Sequence, residues 1–589
     1  MPPVHPSGPI VPRHKGVLIL NRNTESHFST LPKVDIHRST FDRSASVKFS
    51  FNVGDVIPFF VDEVLPGDSF SVRSSKVVRM QTLLTPIMDN IYLDTYYFFV
   101  PNRLVWEHWK EFNGENTQSA WLPTVEYEVP QITAPDGGWS VGTLADYMGI
   151  PTGVAGLSVN ALPFRAYSLV MNEWFRDENL TDPLVTPTDD ATVAGVNTGN
   201  YITDVAKGGL PFKAAKFHDY FTSCLPAPQK GPDVAIPVAT MEYGDVPIVP
   251  GKSHSLPGVA MRMTDPSGKI VIDSGSTPAD QQRIYLGTNT GSSGSYHGLV
   301  SIGPAVNTSA SNPIVGLTPD NLWAQTSQLV GDTAIAATVN QLRMAFQIQK
   351  LYEKDARGGT RYIEILKEHF GVTSPDARLQ RPEYLGGNRI PININQVLQN
   401  SSSESGSTPL GATAAYSLTS DSHHDFRKSF VEHGFILGLC VARYDHTYQQ
   451  GLERFWSRKD RFDYYWPVFA NLGEQAVKNK EIFAQGTSED DEVFGYQEAW
   501  ADYRYKPSRV AGEMRSQYAQ SLDVWHLADD YEKLPSLSDS WIREDSATVN
   551  RVLAVSDNVA NQLFADFYIE NRSTRPMPMY SVPGLIDHH

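Results

Sequence analysis

Ten consecutive residues, Ile91-Tyr-Leu-Asp-Thr-Tyr-Tyr-Phe-Phe-Val100, are apolar or aromatic at nearly every position. A strand with one face in water alternates polar and apolar side chains, so a run without alternation suits a strand buried on both faces. Pro101 ends it. Phe435-Ile-Leu-Gly-Leu-Cys-Val-Ala442 is a second run of this kind. Upstream of the first, Val61, Val64, Phe70, Val72, Val77, Val78, Leu83 and Leu84 supply residues that strands favour, with a turn at Pro66-Gly67-Asp68. Downstream, Val105, Trp106, Trp109 and Phe112 recur at helical spacing until Gly114. Strands come first and helices are appended to them, so the chain reads as a β-framework with elaborations.

At 589 residues the chain exceeds one simple core, since single cores stop growing near roughly 250–300 residues. It is several domains, or one scaffold with large insertions. A charged fraction of 20% describes a folded protein, and 40 prolines with 43 glycines predict many turns and long loops. Cys224 and Cys440 are the two cysteines. They exclude a disulfide framework and a cysteine-rich metal site, and fit a reducing cytoplasm. The N-terminus lacks a secretory pattern, and Phe435–Ala442 is far short of a membrane span, so no membrane insertion is expected.

Residues 1–50 read as a basic, Pro-rich N-terminal arm. Its seven cations (Arg13, Lys15, Arg22, Lys33, Arg38, Arg43 and Lys48) face three acids in a chain of net charge −17. Such an arm is either a solvated tail or a segment lying along a polyanion, nucleic acid above all. With all seven on phosphates, log affinity would fall against log salt at a slope of roughly −5. Residues 51–228 form the first part of the core, with a helical stripe at Phe164, Tyr167, Val170, Met171, Trp174 and Phe175. In 229–322 charges thin out and Gly, Ser, Thr and Pro accumulate. This segment reads as a surface insertion with local β-structure, Met261–Thr264 and Lys269–Asp273 flanking a turn. The second core part, 323–571, carries two further helices, one with Ile335, Val339, Leu342, Phe346 and Leu351 on its apolar face, the other starting at Thr360. Residues 572–589, with three prolines, read as an extended C-terminal strap.

Chemistry-bearing motifs are mostly missing. Gly251-Lys252-Ser253 resembles the end of a phosphate loop, but position 246 is Val and two prolines flank the site. His423, His424, His433 and His446 read as exposed loop histidines, and Glu489-Asp-Asp-Glu492 as a solvated acidic loop. No catalytic residue, metal ligand or cofactor is expected. One pattern has more content: Arg454-Phe-Trp-Ser-Arg-Lys-Asp-Arg-Phe-Asp-Tyr-Tyr-Trp466, echoed by Trp500, Tyr503, Arg504, Tyr505 and Lys506. Aromatics interleaved with cations serve sequence-tolerant single-strand binding, where each stacked base contributes about 1–3 kcal/mol. Trp456, Arg458, Lys459, Arg461, Tyr503, Arg504 and Lys506 are therefore candidate nucleic-acid contacts, together with Arg13, Lys15, Arg22, Arg38, Arg43 and Lys48 of the arm. Equally, aromatics at spacing two suit strand core, and the cations suit salt bridges between subunits.

Several long motifs carry a family resemblance. Phe164-Arg165-Ala166-Tyr167 followed by Asn172-Glu173-Trp174-Phe175-Arg176-Asp177-Glu178-Asn179-Leu180 is similar to a signature of the gokushovirus major capsid proteins, from the microvirus family of single-stranded DNA bacteriophages. Phe41-Asp42-Arg43-Ser44, Leu65-Pro66-Gly67-Asp68, Phe99-Val100-Pro101-Asn102-Arg103-Leu104, the 467–475 segment and Ala499–Ser508 resemble the family in the same order. The resemblance covers most of 35–228 and 323–586. It implies a mainly β fold, a viral jelly-roll β-sandwich with long inserted loops and several helices. It further implies pentamers assembling into a T=1 icosahedral shell around circular single-stranded DNA, formed in the host bacterial cytoplasm, with the 229–322 insertion as a three-fold protrusion meeting a host surface receptor. A small basic DNA-packaging protein, a scaffolding protein and a pilot protein are the further partners it brings into view. A jelly-roll carbohydrate-binding or glycan-cleaving protein and a surface adhesin are the rival readings of the same β-pattern.

Overall fold

The computed structural model describes residues 36–116, 126–234, 339–400, 410–411 and 413–581, with the backbone of short strands between 248 and 324. Nine strands make two facing sheets: β1 Ser39–Asp42, β2 Ala45–Phe51, β3 Ile57–Val64, β4 Ser69–Met80, β5 Ile91–Pro101, β6 Glu383–Pro391, β7 Thr419–Ser429, β8 Gly434–Tyr444 and β9 Leu563–Arg575. In one sheet β9 pairs with β1 and β2 on one side and β4 on the other, and β7 closes the far edge. The other sheet runs β6–β5–β8–β3. All these pairings are antiparallel. The last strand thus lies between early ones, and the chain alternates between sheets from β2 to β5 and again from β6 to β9, with β5 and β6 adjacent in one sheet. This is jelly-roll connectivity.

The β3–β4 link shows how the sequence enforces that alternation. Pro66 and Gly67 fill the centre of a tight turn in which Asp68 N bonds Leu65 O at 3.0 Å. Gly67 takes φ 93°, which a side chain disfavours. The Asp68 carboxylate then accepts from Leu65 N at 2.9 Å, so the chain reverses from one sheet into the other.

The second sheet is buried on both faces, as the two unbroken apolar runs predict. Towards its partner sheet, Tyr97, Phe99, Ile436 and Cys440 pack with Phe51, Phe70, Val72, Phe567 and Ile569. On the opposite face, Phe98, Val100, Leu437, Leu439 and Val441 pack against a second core that includes α1, Leu162–Val170. Asn160 Oδ1 accepts from Leu162 N at 2.8 Å, starting the helix, and Leu162, Phe164, Ala166, Tyr167 and Val170 are all buried. The helix widens into a π-turn over Met171–Phe175, with Arg176 N bonding Met171 O at 2.8 Å. A third cluster, with Tyr220, Phe221, Tyr448, Val477 and Phe494, sits elsewhere in the same unit.

Several boundaries differ from expectation. Residues 39–42 and 45–50 of the predicted arm belong to strands β1 and β2, because their alternating side chains find β9 as a template. The first residues of the predicted strap, Arg572–Arg575, continue β9. The chain divides into one unit of residues 1–228 with 355–589, and another of 229–354. The inserted unit therefore begins where the insertion was expected but runs on past 322. Within it, Arg262–Thr264 pairs with Ile270–Asp273, as the strand–turn–strand pattern predicts, and Leu322–Ala324 pairs with Ile248–Pro250. The two later helices run Val339–Gly358 and Tyr362–Phe370. The helix expected over Val105–Phe112 is only a 3-10 turn at Asn102–Leu104 and one turn at Trp109–Phe112. Glu107 N leaves the helical ladder to bond Thr188 O at 2.9 Å.

Candidate assembly and nucleic-acid interface

The two aromatic-and-cation runs meet in space, on irregular backbone and not on strands. Arg454–Ser457, Arg461–Asp463 and Pro467–Phe469 are 3-10 turns. Tyr465 packs against Trp500 and Tyr503 with ring centroids 5.7 and 6.2 Å away. Trp500 makes this possible. It takes the left-handed conformation, φ 66°, which costs a non-glycine residue roughly 1–2 kcal/mol. Its indole donates to Phe469 O at 2.9 Å, and the resulting corner turns Tyr503 towards Tyr465. A cavity of about 250 Å³, with Arg454, Phe455, Arg458, Tyr503 and Tyr505 in its wall, opens where the runs join.

Most of these rings point outward. Trp456 is 65% exposed and Val468 82%, and Phe462, Tyr464, Trp466 and Tyr503 are exposed as well. Strand-core packing is therefore ruled out as the reason for the aromatic spacing. Exposed rings gathered in this way on a folded unit make a candidate interaction surface. Among the aromatic residues, the sequence pattern singles out Trp456 and Tyr503 as contacts. Phe462, Tyr465 and Trp466, in the same run, belong to the surface too, and the density of rings was the signal for them.

The cations of the field are largely committed to carboxylates. Arg458 pairs with Asp502 and stacks over Tyr503, 4.3 Å from the ring centroid. It is nearly buried, so it braces the corner and does not face solvent. Arg504 pairs with Glu498, and Lys506 lies 3.5 Å from Glu453, which also binds Arg509 at 2.9 Å. Arg461 covers the Phe462 ring at 4.8 Å, and Lys459 is exposed. The surface is aromatic with balanced charge. It is not a basic stripe of the kind that follows phosphates.

The arm candidates divide. Arg13, Lys15 and Arg22 lie outside the described residues. Arg38 donates to Gly67 O at the β3–β4 turn. Arg43 donates twice to the buried Asp62 carboxylate, at 2.6 and 2.8 Å. Asn571 joins that carboxylate from β9 at 3.1 Å. Lys48 pairs with Asp566 across the β2–β9 ladder at 3.3 Å. Arg43 thus fastens the first strands to the sandwich.

The remaining motifs resolve as follows. His446 is not an exposed loop residue. It is buried between Asp529 and Glu544, because burial of two carboxylates demands a cation between them. His423 and His424 sit on β7, again not in a loop. The acidic run forms a 3-10 turn over Ser488–Asp491, and Asp491 binds Lys478 and Lys480 at 2.9 and 2.8 Å. Those two lysines hold its carboxyl at about 2. Gly251–Ser253 lies outside the described residues. Among the described residues no group of three or more His, Cys, Asp or Glu is arranged to hold a metal ion, and no helix is long and apolar enough to cross a membrane.

A jelly roll bearing large insertions, with exposed aromatic side chains on its surface, is an architecture of viral coat-protein subunits. The comparisons with known proteins agree. Residues 29–585 match the capsid protein (F protein) family of phages. The capsid protein VP1 of Chlamydia phage 1 is 42% identical, the match covering 95% of this chain and 98% of that protein. Capsid protein VP1 of Bdellovibrio phage phiMH2K is also 42% identical, over 96% and 98%. That of Spiroplasma virus 4 is 43% identical, over 91% and 93%. The chain belongs to the phage capsid protein (F protein) family, and its function is that of a microvirus major capsid protein. The gokushovirus resemblance read from the motifs is borne out.

Proposed function

We propose that this capsid protein assembles as pentamers into a T=1 icosahedral shell around a circular single-stranded DNA genome. Assembly takes place in the host bacterial cytoplasm and needs no catalysis by the subunit. The exposed aromatic field from Phe455 to Trp466 and Tyr503 to Tyr505 carries this reading. Rings left in water by the subunit's own fold are stabilised when a neighbour covers them, at about 25 cal/mol per Å² of apolar area. Because most of the local cations, Arg458, Arg504, Lys506 and Arg509 among them, already have carboxylate partners, another protein subunit is the first occupant of this surface. Nucleic acid is contacted instead by the basic N-terminal segment, with Arg13, Lys15 and Arg22 on the shell's inner face. The 229–322 insertion contributes to host attachment. A small basic packaging protein, a scaffolding protein and a pilot protein are the further partners of such a particle.

Negative-stain and cryogenic electron microscopy of the expressed full chain test the reading. Uniform closed shells, or pentamers, are expected, with nuclease-protected DNA in particles taken from infected cells. A stable monomer that turns over glycans would overturn it. Deleting 229–322 from intact particles tests attachment separately, since host adsorption that survives the deletion removes the receptor role.

A further inference from the structure

Between the two sheets lies a polar group that an apolar sandwich does not need. Lys76 stands on β4 directly opposite Asp421 of β7, and its side chain is 0% exposed. It crosses the core to the other sheet. There its Nζ donates to Thr95 Oγ1 at 3.0 Å and to the side-chain oxygen of Asn388. Two carboxylates attend it: Asp421 Oδ2 at 3.7 Å and Asp425 Oδ1 at 3.9 Å, the latter side chain also 0% exposed. Neither Asp425 oxygen has a hydrogen-bond partner of good geometry. Asn388 is held tightly. Its amide nitrogen donates to Asp421 Oδ2 at 2.8 Å, and its oxygen accepts from Thr95 Oγ1 at 2.8 Å. Gly387, beside it, allows β6 to approach β5 so closely that a Cβ there would sit 1.9 Å from Thr95 O.

A buried amine, a carboxamide and a carboxylate in mutual contact are the ingredients of amide exchange. We propose that Lys76 and Asn388 form an intramolecular isopeptide bond that staples the two sheets of the jelly roll, with Asp421 as the proton shuttle. The neutral amine attacks Cγ of Asn388, which is one bond from the oxygen that Nζ already contacts. A C–N bond forms between Lys76 Nζ and Cγ. Asp421, within reach of both nitrogens, takes a proton from Nζ and passes it to the carboxamide nitrogen. The original C–N bond of the carboxamide then breaks and ammonia leaves. Amine plus carboxamide becomes a secondary amide plus ammonia, with no oxidant or other reactant required. Asn388 is only half-buried, which gives the ammonia a way out.

Burial supplies the activation. It pulls the Lys76 amine below the ordinary lysine range although Asp425 and Asp421 pull it back, and it pushes the Asp425 carboxyl upward although Lys76 opposes it. Moving the ammonium proton to Asp425 therefore leaves two neutral groups in place of two buried charges. After the exchange Asp425 remains protonated and needs no counter-ion. The chemistry depends on the folded state, because β4, β6 and β7 supply the three groups from sites far apart in sequence.

Intact-mass spectrometry of the full chain, denatured after folding, tests this. The expected result is a mass below the sequence mass by one ammonia, with tandem spectra of a proteolytic digest placing the loss in a branched peptide joining Lys76 to Asn388. Lys76→Arg and Asn388→Ala are expected to restore the full mass, and Asp421→Asn to leave most chains unreacted. The unsubstituted chain decides the matter even if a variant fails to fold. Full mass in folded protein, or a loss located elsewhere, overturns the bond. Complete bond formation in Asp421→Asn overturns the shuttle.

Discussion

His446 Nδ1 lies 3.0 Å from Asp529 Oδ1, while its Nε2 lies 3.2 Å from Glu544 on the other side. Lys216 Nζ stands 3.6 Å from the same aspartate, whose second oxygen accepts from Tyr531 OH at 2.8 Å. Burial disfavours a charge on the imidazole, but Asp529 and Glu544 outweigh it and raise its pKa from 6.5 to about 9. Asp529 is held far below the carboxylate range: burial opposes this, and His446 and Lys216 overcome it.

The pH dependence of stability follows from the raised histidine. The folded state binds this proton more tightly than the unfolded chain, so the contribution is complete below about pH 6.5. It is lost as pH rises through about 9. Thermal denaturation of the subunit is expected to show a melting temperature that declines across that interval. In His446→Gln the decline is expected to be much shallower. His446→Ala, which leaves the buried Glu544 without the imidazolium and Asp529 with Lys216 alone, is expected to cost about 3–5 kcal/mol at pH 7. Equal pH profiles in the native chain and the glutamine variant would remove the histidine from this role.

The aromatic field predicts a separation of folding from assembly. Trp456→Ala and Val468→Ser remove side chains that the isolated subunit leaves in water. Each is expected to change the unfolding free energy by less than about 0.5 kcal/mol. If a neighbouring subunit covers them, the Trp456 change is expected to weaken association by about 2 kcal/mol or more, as central tryptophans do. Light scattering during assembly, with denaturation of the unassembled subunit alongside, reads both quantities. Normal assembly by the double variant would show that this field is not a subunit contact.

DNA binding is predicted to rest on fewer arm cations than the sequence implies. Arg38, Arg43 and Lys48 are occupied by Gly67, Asp62 and Asp566. Arg13, Lys15, Arg22 and Lys33 are the other cations of the first fifty residues. Four phosphate contacts on single-stranded DNA give a slope of log affinity against log salt of about −3, shallower than the value for all seven. Deleting residues 1–35 is expected to remove that slope while leaving β1 and β2 intact. A salt titration of oligonucleotide binding that shows the same slope before and after deletion would exclude the arm.

How far the sequence could be read depends on the range of the interactions involved. The doubly buried strands β5 and β8 were legible because burial on both faces abolishes alternation, a property of the strand itself. The Leu65–Asp68 turn was legible because Pro and Gly fix their own dihedrals. The role of Arg43 was not, since nothing near it in sequence shows that Asp62 and Asn571 converge on one buried site. His446 was misread for the same reason: Asp529 and Glu544 come from strand-distant segments. The aromatic runs were found from composition, but whether the rings face core or solvent turns on the left-handed corner at Trp500, which no local rule assigns to tryptophan. The identity of the family rested on long motifs in order, and the periodicity alone indicated a β-framework with helices.

Tyr97 and Phe98, neighbours on β5, belong to different cores, and that division gives a last prediction. Tyr97 faces the partner sheet, its ring 5.5 Å from Phe59 and 5.3 Å from Phe426. Phe98 faces the second core, 5.3 Å from Trp174 and 5.6 Å from Tyr384. Phe98→Ala is expected to cost about 3–5 kcal/mol, because rings anchored to the sheet and to the π-turn cannot close the cavity. Phe98→Leu keeps most of the volume and is expected to cost less than half as much. The damage is expected on one side only. Protection from hydrogen exchange falls in α1 and the 171–175 turn, while β4 and β9, which lie beyond the inter-sheet core, keep theirs. Equal loss of protection in both layers would mean that the two cores unfold as one, and that the second sheet couples what its two faces bury.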